Sequence, residues 1–461
     1  MLYRKVTSRL LEWLKKSPNA LLIYGARQVG KTTIVREFGR AHFRSFAEIN
    51  FSTDPRYVNL LLEAESLLDF QARLSLILGY EPKEGDVVFL DEIQVYYAAR
   101  EDKIKNDPDF AKKTVDILTL SKPIVEQGTY RLIMSGSLLG VTVFGVNLNP
   151  VGFVDELTMY PMDFEEFLIA NGVPASLIQK ARDCFKNKEA VPQELNQTLL
   201  AKFREFAIVG GMPEAVNRYV NGRDLKAVCL AHQSVLSWYK KDVIKYAPQE
   251  SRLIILEMLE ILPSEVNANN KKFTKSHLDV PNFKNLDLKD RFLWLSSAGI
   301  AIPVYNVDEM KAPLRSSLNY KVVKLFSNDT GLLVNQLFEG EITERLFVES
   351  NTYDFGAIYE NAVAQLLLCH GFLPRFHTNK KVGELDFVID YGCDILPIEI
   401  KSGLGGERHV YEHRALDHYI DSSSFSMPGM VFGNTNVFAE SSHIENYPIY
   451  MIDFLEKGSI R

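Results

Sequence analysis

Short apolar runs alternate with helix-like periods over the first 160 residues. The runs near 20–24, 45–51, 87–90, 131–134 and 154–159 are almost continuously apolar, which predicts parallel strands buried on both faces. Between Val95 and Lys122, the polar stretch REDKIKNDPDFAKK reads as a solvated excursion between sheet elements. From Asp163 to about Pro248 the period is mostly helical, with breaks near 171–175, 185–195 and at Gly210-Gly211-Met212-Pro213. Residues 250–335 change character. Short helices (RLIILEMLEIL and LKDRFLWLSSAG) flank the Lys/Asn-rich NANNKKFTK, and the strand-like AIPVYNV and YKVVKLF follow as a candidate hairpin. That order suggests a winged helix-turn-helix. From Asp354 a helix (AIYENAVAQLLLCHG) leads into strands near 372–377, 383–389 and 394–400. A helix (HVYEHRALDHYI) and strands near 428–432 and 447–451 complete an α/β unit.

Composition narrows the class. With 461 residues, 46% hydrophobic and 24% charged, the chain has the makings of several folded domains. It contains no apolar run of the roughly 18 residues that would suggest a membrane span, and the N-terminus is interrupted by charges, so no membrane partner is expected. Four cysteines at 184, 229, 369 and 393 form no CxxC, which suggests a cytoplasmic setting without disulfides or structural zinc. A net charge of −7 argues against a surface coated for nucleic acid. The basic residues nevertheless crowd the start of the chain. Arg4, Lys5, Arg9, Lys15, Lys16, Arg27, Lys31, Arg36, Arg40 and Arg44 face only Glu12 and Glu37 there, so DNA contact through a local patch stays open.

The most specific chemistry lies in Gly25-Ala26-Arg27-Gln28-Val29-Gly30-Lys31-Thr32, followed by Thr33. It fits G-x-x-x-x-G-K-[ST], with an apolar strand before it and a helix-competent segment after it. Glycines let the backbone close on phosphate, and the N–H groups of the following helix start point inward. Lys31 can bridge the β- and γ-phosphates of ATP, and the Thr32 hydroxyl can ligate Mg2+. A second apolar strand ends in Asp91-Glu92. Asp91 is expected to hold the Mg2+ and Glu92 to polarise an attacking water, which favours hydrolysis over transfer to a small molecule. A third strand, RLIMSGS, ends in Ser135 and Ser137, which either sense the γ-phosphate or serve the turn.

Taken in order, GARQVGKTT, VVFLDEIQ, IMSGSLLG, MYPMDFEEFL and GGMPEAV resemble a large bacterial and archaeal family of AAA-type P-loop ATPases with a C-terminal domain of uncharacterised function. The resemblance implies an ATPase core with a parallel sheet at 1–160, a helical lid at 161–249, a winged helix-turn-helix at 250–340 and a further α/β domain at 350–461. It also implies that Pro213 packs near the adenine and leaves room for a homo-oligomer whose sites are completed by a neighbour's arginine. Arg27, Arg100 and Arg131 are all candidates for that role.

The last domain carries a second constellation. On strands, residues two apart share a face, so Glu384 pairs with Asp386 and Glu399 with Lys401. With Glu360 on an otherwise apolar helix, the set is similar to the PD-(D/E)xK nuclease fold. That likeness implies Asp386 and Glu399 on a divalent metal, Glu360 completing its shell, and Lys401 stabilising charge or activating water. A retained core that binds without cutting remains the alternative. Lys271, Lys272 and Lys275 with Phe273 can meet phosphates or form a solvated loop, and His409, His413 and His418 read as a solvated helix face. Two functions therefore stand: an ATPase acting on DNA through its winged and nuclease-like domains, or a nucleotide-dependent switch holding a protein partner.

Overall fold

The computed structural model describes residues 2–137, 152–268, 271–279, 287–348, 355–379, 383–403, 414–422, 427–439, 441 and 443–457. Leu138, Leu139 and Gly140 of the IMSGSLLG motif, and His409 and His413, lie outside the described residues. The chain divides into two compact units. One holds Arg4–Tyr160 with Ser297–Gly299, and the other holds Pro161–Ser296 and Ile300–Arg461 with the first three residues.

The first unit is built on strands β1 (Ala20–Gly25), β2 (Ser45–Asn50), β3 (Asp86–Asp91), β4 (Arg131–Ser137) and β5 (Val154–Thr158). They form one sheet in the order β2-β3-β4-β1-β5, every neighbouring pair parallel. All six residues of β3 are buried, as its unbroken apolar run requires. The stretch expected as a solvated excursion is helical, Ile93–Asn106, Phe110–Lys113 and Ile117–Gln127, with residues 101–113 exposed or half-buried as expected. Tyr96, Tyr97, Ile117 and Leu118 from these helices enter the same core as Leu22, Val88, Leu90 and Leu132. Most charges between them fall on the solvent side, Arg100 and Asp116 being the buried exceptions, which is why the local sequence reads as polar. The basic N-terminal segment forms a helix, Val6–Lys16, that buries Val6, Leu10 and Trp13.

The second unit begins with helices. Phe164–Ala170 opens on a capping box in which Asp163 and Glu166 satisfy each other's backbone N–H groups. Ala175–Asn187, Gln193–Val209, Pro213–Gly222, Leu225–Tyr246 and Arg252–Asn267 follow. Its sheet comprises β6 (Ala301–Val307), β7 (Leu318–Ser327), β8 (Arg375–Asn379), β9 (Gly383–Tyr391), β10 (Asp394–Lys401), β11 (Gly429–Gly433), β12 (Phe438–Ala439) and β13 (Ile444–Pro448). Their order is β12-β13-β11-β10-β9-β8-β6-β7. The β6–β7 hairpin, expected as a separate wing, thus joins the C-terminal strands through Tyr305 beside Arg375 and Asn306 beside Phe376. The strand expected at 447–451 stops at Pro448, and a 3-10 helix, Ile449–Phe454, takes over. No helix among the described residues is long and apolar enough to cross a membrane.

Helix Gly356–Cys369 is buried on nearly all sides from Ala357 to Leu367. Two of its buried polar residues serve the fold. Asn361 exchanges hydrogen bonds with the backbone of Ser327, at 2.8 and 3.2 Å, and Gln365 accepts from Thr330 N at 2.9 Å. Glu360 is the third, and its partners are charged.

Candidate functional site

In the first unit, parallel pairing brings the carboxyl ends of four strands to one edge. Gly25 lies beside Ser137, and Asn50 beside Asp91. In open α/β sheets this is the edge that receives ligands. Gly25 leaves β1 at φ 152°, and a Cβ there would stand 2.0 Å from the Met159 carbonyl oxygen. Gln28 and Gly30 both adopt positive φ, 61° and 95°, which turns the loop into helix Lys31–His42 without a side-chain cap. The first N–H groups of that helix are therefore presented by the loop itself. Ala26 and Val29 are buried beneath the loop, while Thr33 is exposed on the first helical turn. Arg4, which sequence reasoning passed over as part of a basic patch, donates to Val29 O at 2.8 Å and to Tyr160 O at 2.7 Å, bracing the loop from behind.

Lys31 Nζ donates to Gly25 O at 2.9 Å and Ala26 O at 2.8 Å, so a buried ammonium is held inside the loop. Asp91 collects donors from three directions. Thr32 Oγ1 reaches its Oδ2 at 2.8 Å, Asn50 Nδ2 the same oxygen at 2.9 Å, and Ser135 Oγ its Oδ1. Burial raises the Asp91 carboxyl above its ordinary pKa, opposed by the Ser135 and Thr32 bonds. A carboxylate so placed, beside a hydroxyl and an ammonium, fits a divalent cation bound with phosphate.

Glu92 sits in the left-handed region (φ 59°, ψ 44°), just before the helix that starts at Ile93. Gln94 Nε2 donates both to Glu92 Oε2 and, at 3.0 Å, to Ser137 Oγ. Gln94 is fully buried and is not singled out by the sequence, in which it follows the strand end Asp91-Glu92. The arginine candidates separate. Arg27 Nη1 lies 3.8 Å from Glu92 Oε2. Arg100 is committed to Thr114 and Phe110, and Arg131 to Ser17 O and the Trp13 ring.

Pro213 belongs to the second unit, at the first position of helix Pro213–Gly222. The preceding glycines are demanded by packing within that unit. A Cβ on Gly211 would stand 2.1 Å from Met162 O, and one on Gly210 2.2 Å from Asp329 Oδ1.

The second unit also gathers the C-terminal carboxylates. Asp386 Oδ2 accepts from Ile400 N at 2.8 Å, and Lys401 Nζ donates to Glu399 Oε1 at 2.8 Å. Burial first, then the charge of Asp386, raises the Glu399 carboxyl against the pull of Lys401, and burial raises Glu360 in the same way. Three further lysines enter, none of them expected there. Lys271 donates to Glu360 Oε1, Lys272 lies 3.0 Å from Glu384 Oε2, and Lys324 lies 2.6 Å from Glu384 Oε1. Lys271 and Lys272 are therefore half-buried and paired with carboxylates. The Glu360 and Glu399 atoms expected on a divalent metal are paired with lysines here, and the expected ligands are not gathered around one point. Among the described residues, the trio of ligand atoms lying within 4.8 Å of one another is Asp163, His370 and Asp453, not Glu360, Asp386 and Glu399. The Asp163 trio serves the fold, since Asp163 caps its helix and Asp453 accepts from His370 and from Glu165 N.

Comparison with known proteins agrees with the first unit's geometry. Residues 17–168 match an AAA domain family, and this part of the chain is an AAA-type P-loop ATPase domain. Residues 200–341 and 355–434 match two families described as domains of unknown function, DUF8612 and DUF4143. No curated protein matches. Among solved structures, the chain is similar to a Walker-type ATPase of Pyrococcus abyssi, at 16% identity and TM-score 0.40, covering 73% of this chain and 96% of that one. It is also similar to a chain from the structure of Drosophila ORC bound to DNA, at 13% identity and TM-score 0.29, covering 73% and 95%. PCH-2 of C. elegans matches at 12% identity and TM-score 0.25, covering 42% and 52%.

Proposed function

We propose that the AAA-type P-loop domain binds ATP with Mg2+ and hydrolyses it, and that this cycle governs what the rest of the chain holds. The observation that supports hydrolysis is the convergence of Lys31, Thr32, Asp91 and Glu92 at one sheet edge, with Gln94 tying Glu92 to Ser137. The loop N–H groups from Gly25 to Thr33, together with Lys31, take the β- and γ-phosphates. Thr32 and Asp91 would hold Mg2+, which would neutralise phosphate charge. Glu92 accepts the proton of the attacking water. Ser135 orients Asp91, and Ser137, through Gln94, reports on Glu92. Loss of nucleotide binding in Lys31→Ala, measured with a fluorescent ATP analogue, tests the assignment of the loop. Retained binding in that variant would exclude it.

In the finer reading, residues 161–249 form a lid with Pro213 near the adenine, 250–340 a winged helix-turn-helix and 350–461 a nuclease-like domain. The whole acts on DNA in the cytoplasm, as a homo-oligomer. DNA affinity that falls steeply as salt rises would support this. A second reading, a switch that holds a protein partner through an inactive nuclease-like domain, is favoured by one observation. Lys271, Lys272 and Lys324 form ion pairs with Glu360 and Glu384.

A further inference from the structure

The carboxylate centre of the second unit combines four acids, Glu360, Glu384, Asp386 and Glu399, with four lysines, Lys271, Lys272, Lys324 and Lys401. Formal charge is thus balanced by the chain itself. Lys271, Lys272 and Lys401 are partly exposed, with side chains 24–29% accessible, and can leave. Lys324 cannot. It is 1% accessible, and its backbone is fixed in β7 opposite Val304 of β6. Its Nζ lies 2.6 Å from Glu384 Oε1, 3.8 Å from Glu360 Oε2 and 5.0 Å from the centre of the Phe376 ring.

A buried ammonium keeps its charge only among opposite charges, and a buried carboxylate needs a cation, hydrogen-bond donors or a proton. Two oxygens of the centre, Glu360 Oε2 and Glu399 Oε2, are buried without a hydrogen-bond partner. They are the donors a metal would use, and the immobile Lys324 charge stands beside the first of them. An incoming divalent ion would meet like charge at that distance. We propose that Lys324 is the resident cation of this centre, standing in for a divalent metal, so that the carboxylates are held together without one. The inference deepens the second reading given above and is independent of nucleotide binding. That reading is tested separately by salt-dependent DNA binding, so the two can fail independently.

The test uses the full-length chain with Asp91→Asn, which removes the first unit's cation ligand. Mn2+ is titrated by EPR and thermal unfolding is followed with and without it. The parent protein should bind no Mn2+ that depends on Glu399, so adding Glu399→Gln changes nothing in its Mn2+ response. Lys324→Met leaves the buried Glu360 with Lys271 as its one remaining lysine and should melt roughly 10 °C lower. Mn2+ should recover part of that loss, and Glu360→Gln added to Lys324→Met should abolish the recovery. Should Lys324→Met fail to fold, Lys324→Arg keeps the charge and should fold without any Mn2+ response. Mn2+ binding by the parent or by Lys324→Arg that disappears with Glu399→Gln overturns the proposal, as does a Lys324→Met protein that is as stable as the parent without Mn2+.

Discussion

Replacing Gln94 by alanine separates the aiming of Glu92 from the binding of nucleotide. The Gln94 amide is fully buried and its Nε2 is shared between the Glu92 carboxylate and Ser137 Oγ at 3.0 Å, while no loop residue bonds to it. Glu92 is otherwise steadied by Arg27 at 3.8 Å, beyond hydrogen-bond length. A hydrogen bond to a charged group contributes about 1.5–3 kcal/mol. If that support acts on the proton transfer to Glu92, each 1.36 kcal/mol lost slows the step about tenfold, so kcat should fall roughly 10- to 100-fold. The affinity for a fluorescent ATP analogue should change by less than about threefold, because Lys31, Thr32 and the loop backbone are untouched. Steady-state phosphate release, analogue binding and thermal unfolding on the same preparation make the comparison. Unchanged kcat would refute the positioning role. A parallel loss of affinity and rate would show instead that Gln94 only supports the fold.

Other perturbations address separate parts of the account. Gly25→Ala should abolish nucleotide binding, since its Cβ would stand 2.0 Å from Met159 O and the loop must shift to admit it; analogue binding checks this. Burial depresses the His232 pKa to about 4 from 6.5, so between those values the unfolded chain holds the extra proton and stability falls as pH falls. The ceiling is on the order of 3 kcal/mol. Urea midpoints at neutral pH and near pH 4.5 should show His232→Gln losing less of its stability on acidification than wild type. If a neighbour's arginine completes the site, ATPase activity per molecule should rise with protein concentration, and high activity in a strictly monomeric sample would contradict that.

The phosphate loop and the acidic strand end are legible because their chemistry is local: glycines, Lys31 and Thr32 follow one another, and Asp91-Glu92 end an apolar run. That Ser135 bonds to Asp91 is not local. It follows from β4 lying between β1 and β3, an order that no spacing states. Gln94 was hidden for a related reason, since its reach to Glu92 depends on the left-handed backbone at Glu92 itself. In the second unit, Glu384, Asp386, Glu399 and Lys401 could be paired by strand alternation, but their lysine partners could not. Lys271, Lys272 and Lys324 come from segments that meet these strands only because the β6–β7 hairpin joins the same sheet. The available signal was Lys324 itself, a lone cation in the apolar run VVKLF, where solvent exposure was the poorer expectation. The buried face of the helix after Glu92 is hard to read from sequence because exposed charges outnumber the tyrosines that hold it.

The central claim is that this chain hydrolyses ATP with Glu92 as the base. It is tested most directly by Glu92→Gln, with ATP binding and phosphate release measured in one sample containing Mg2+. The account predicts that the variant binds ATP as wild type does and that its turnover falls by about 100-fold or more, because the amide cannot accept the water's proton. Turnover at the wild-type rate by Glu92→Gln would contradict it.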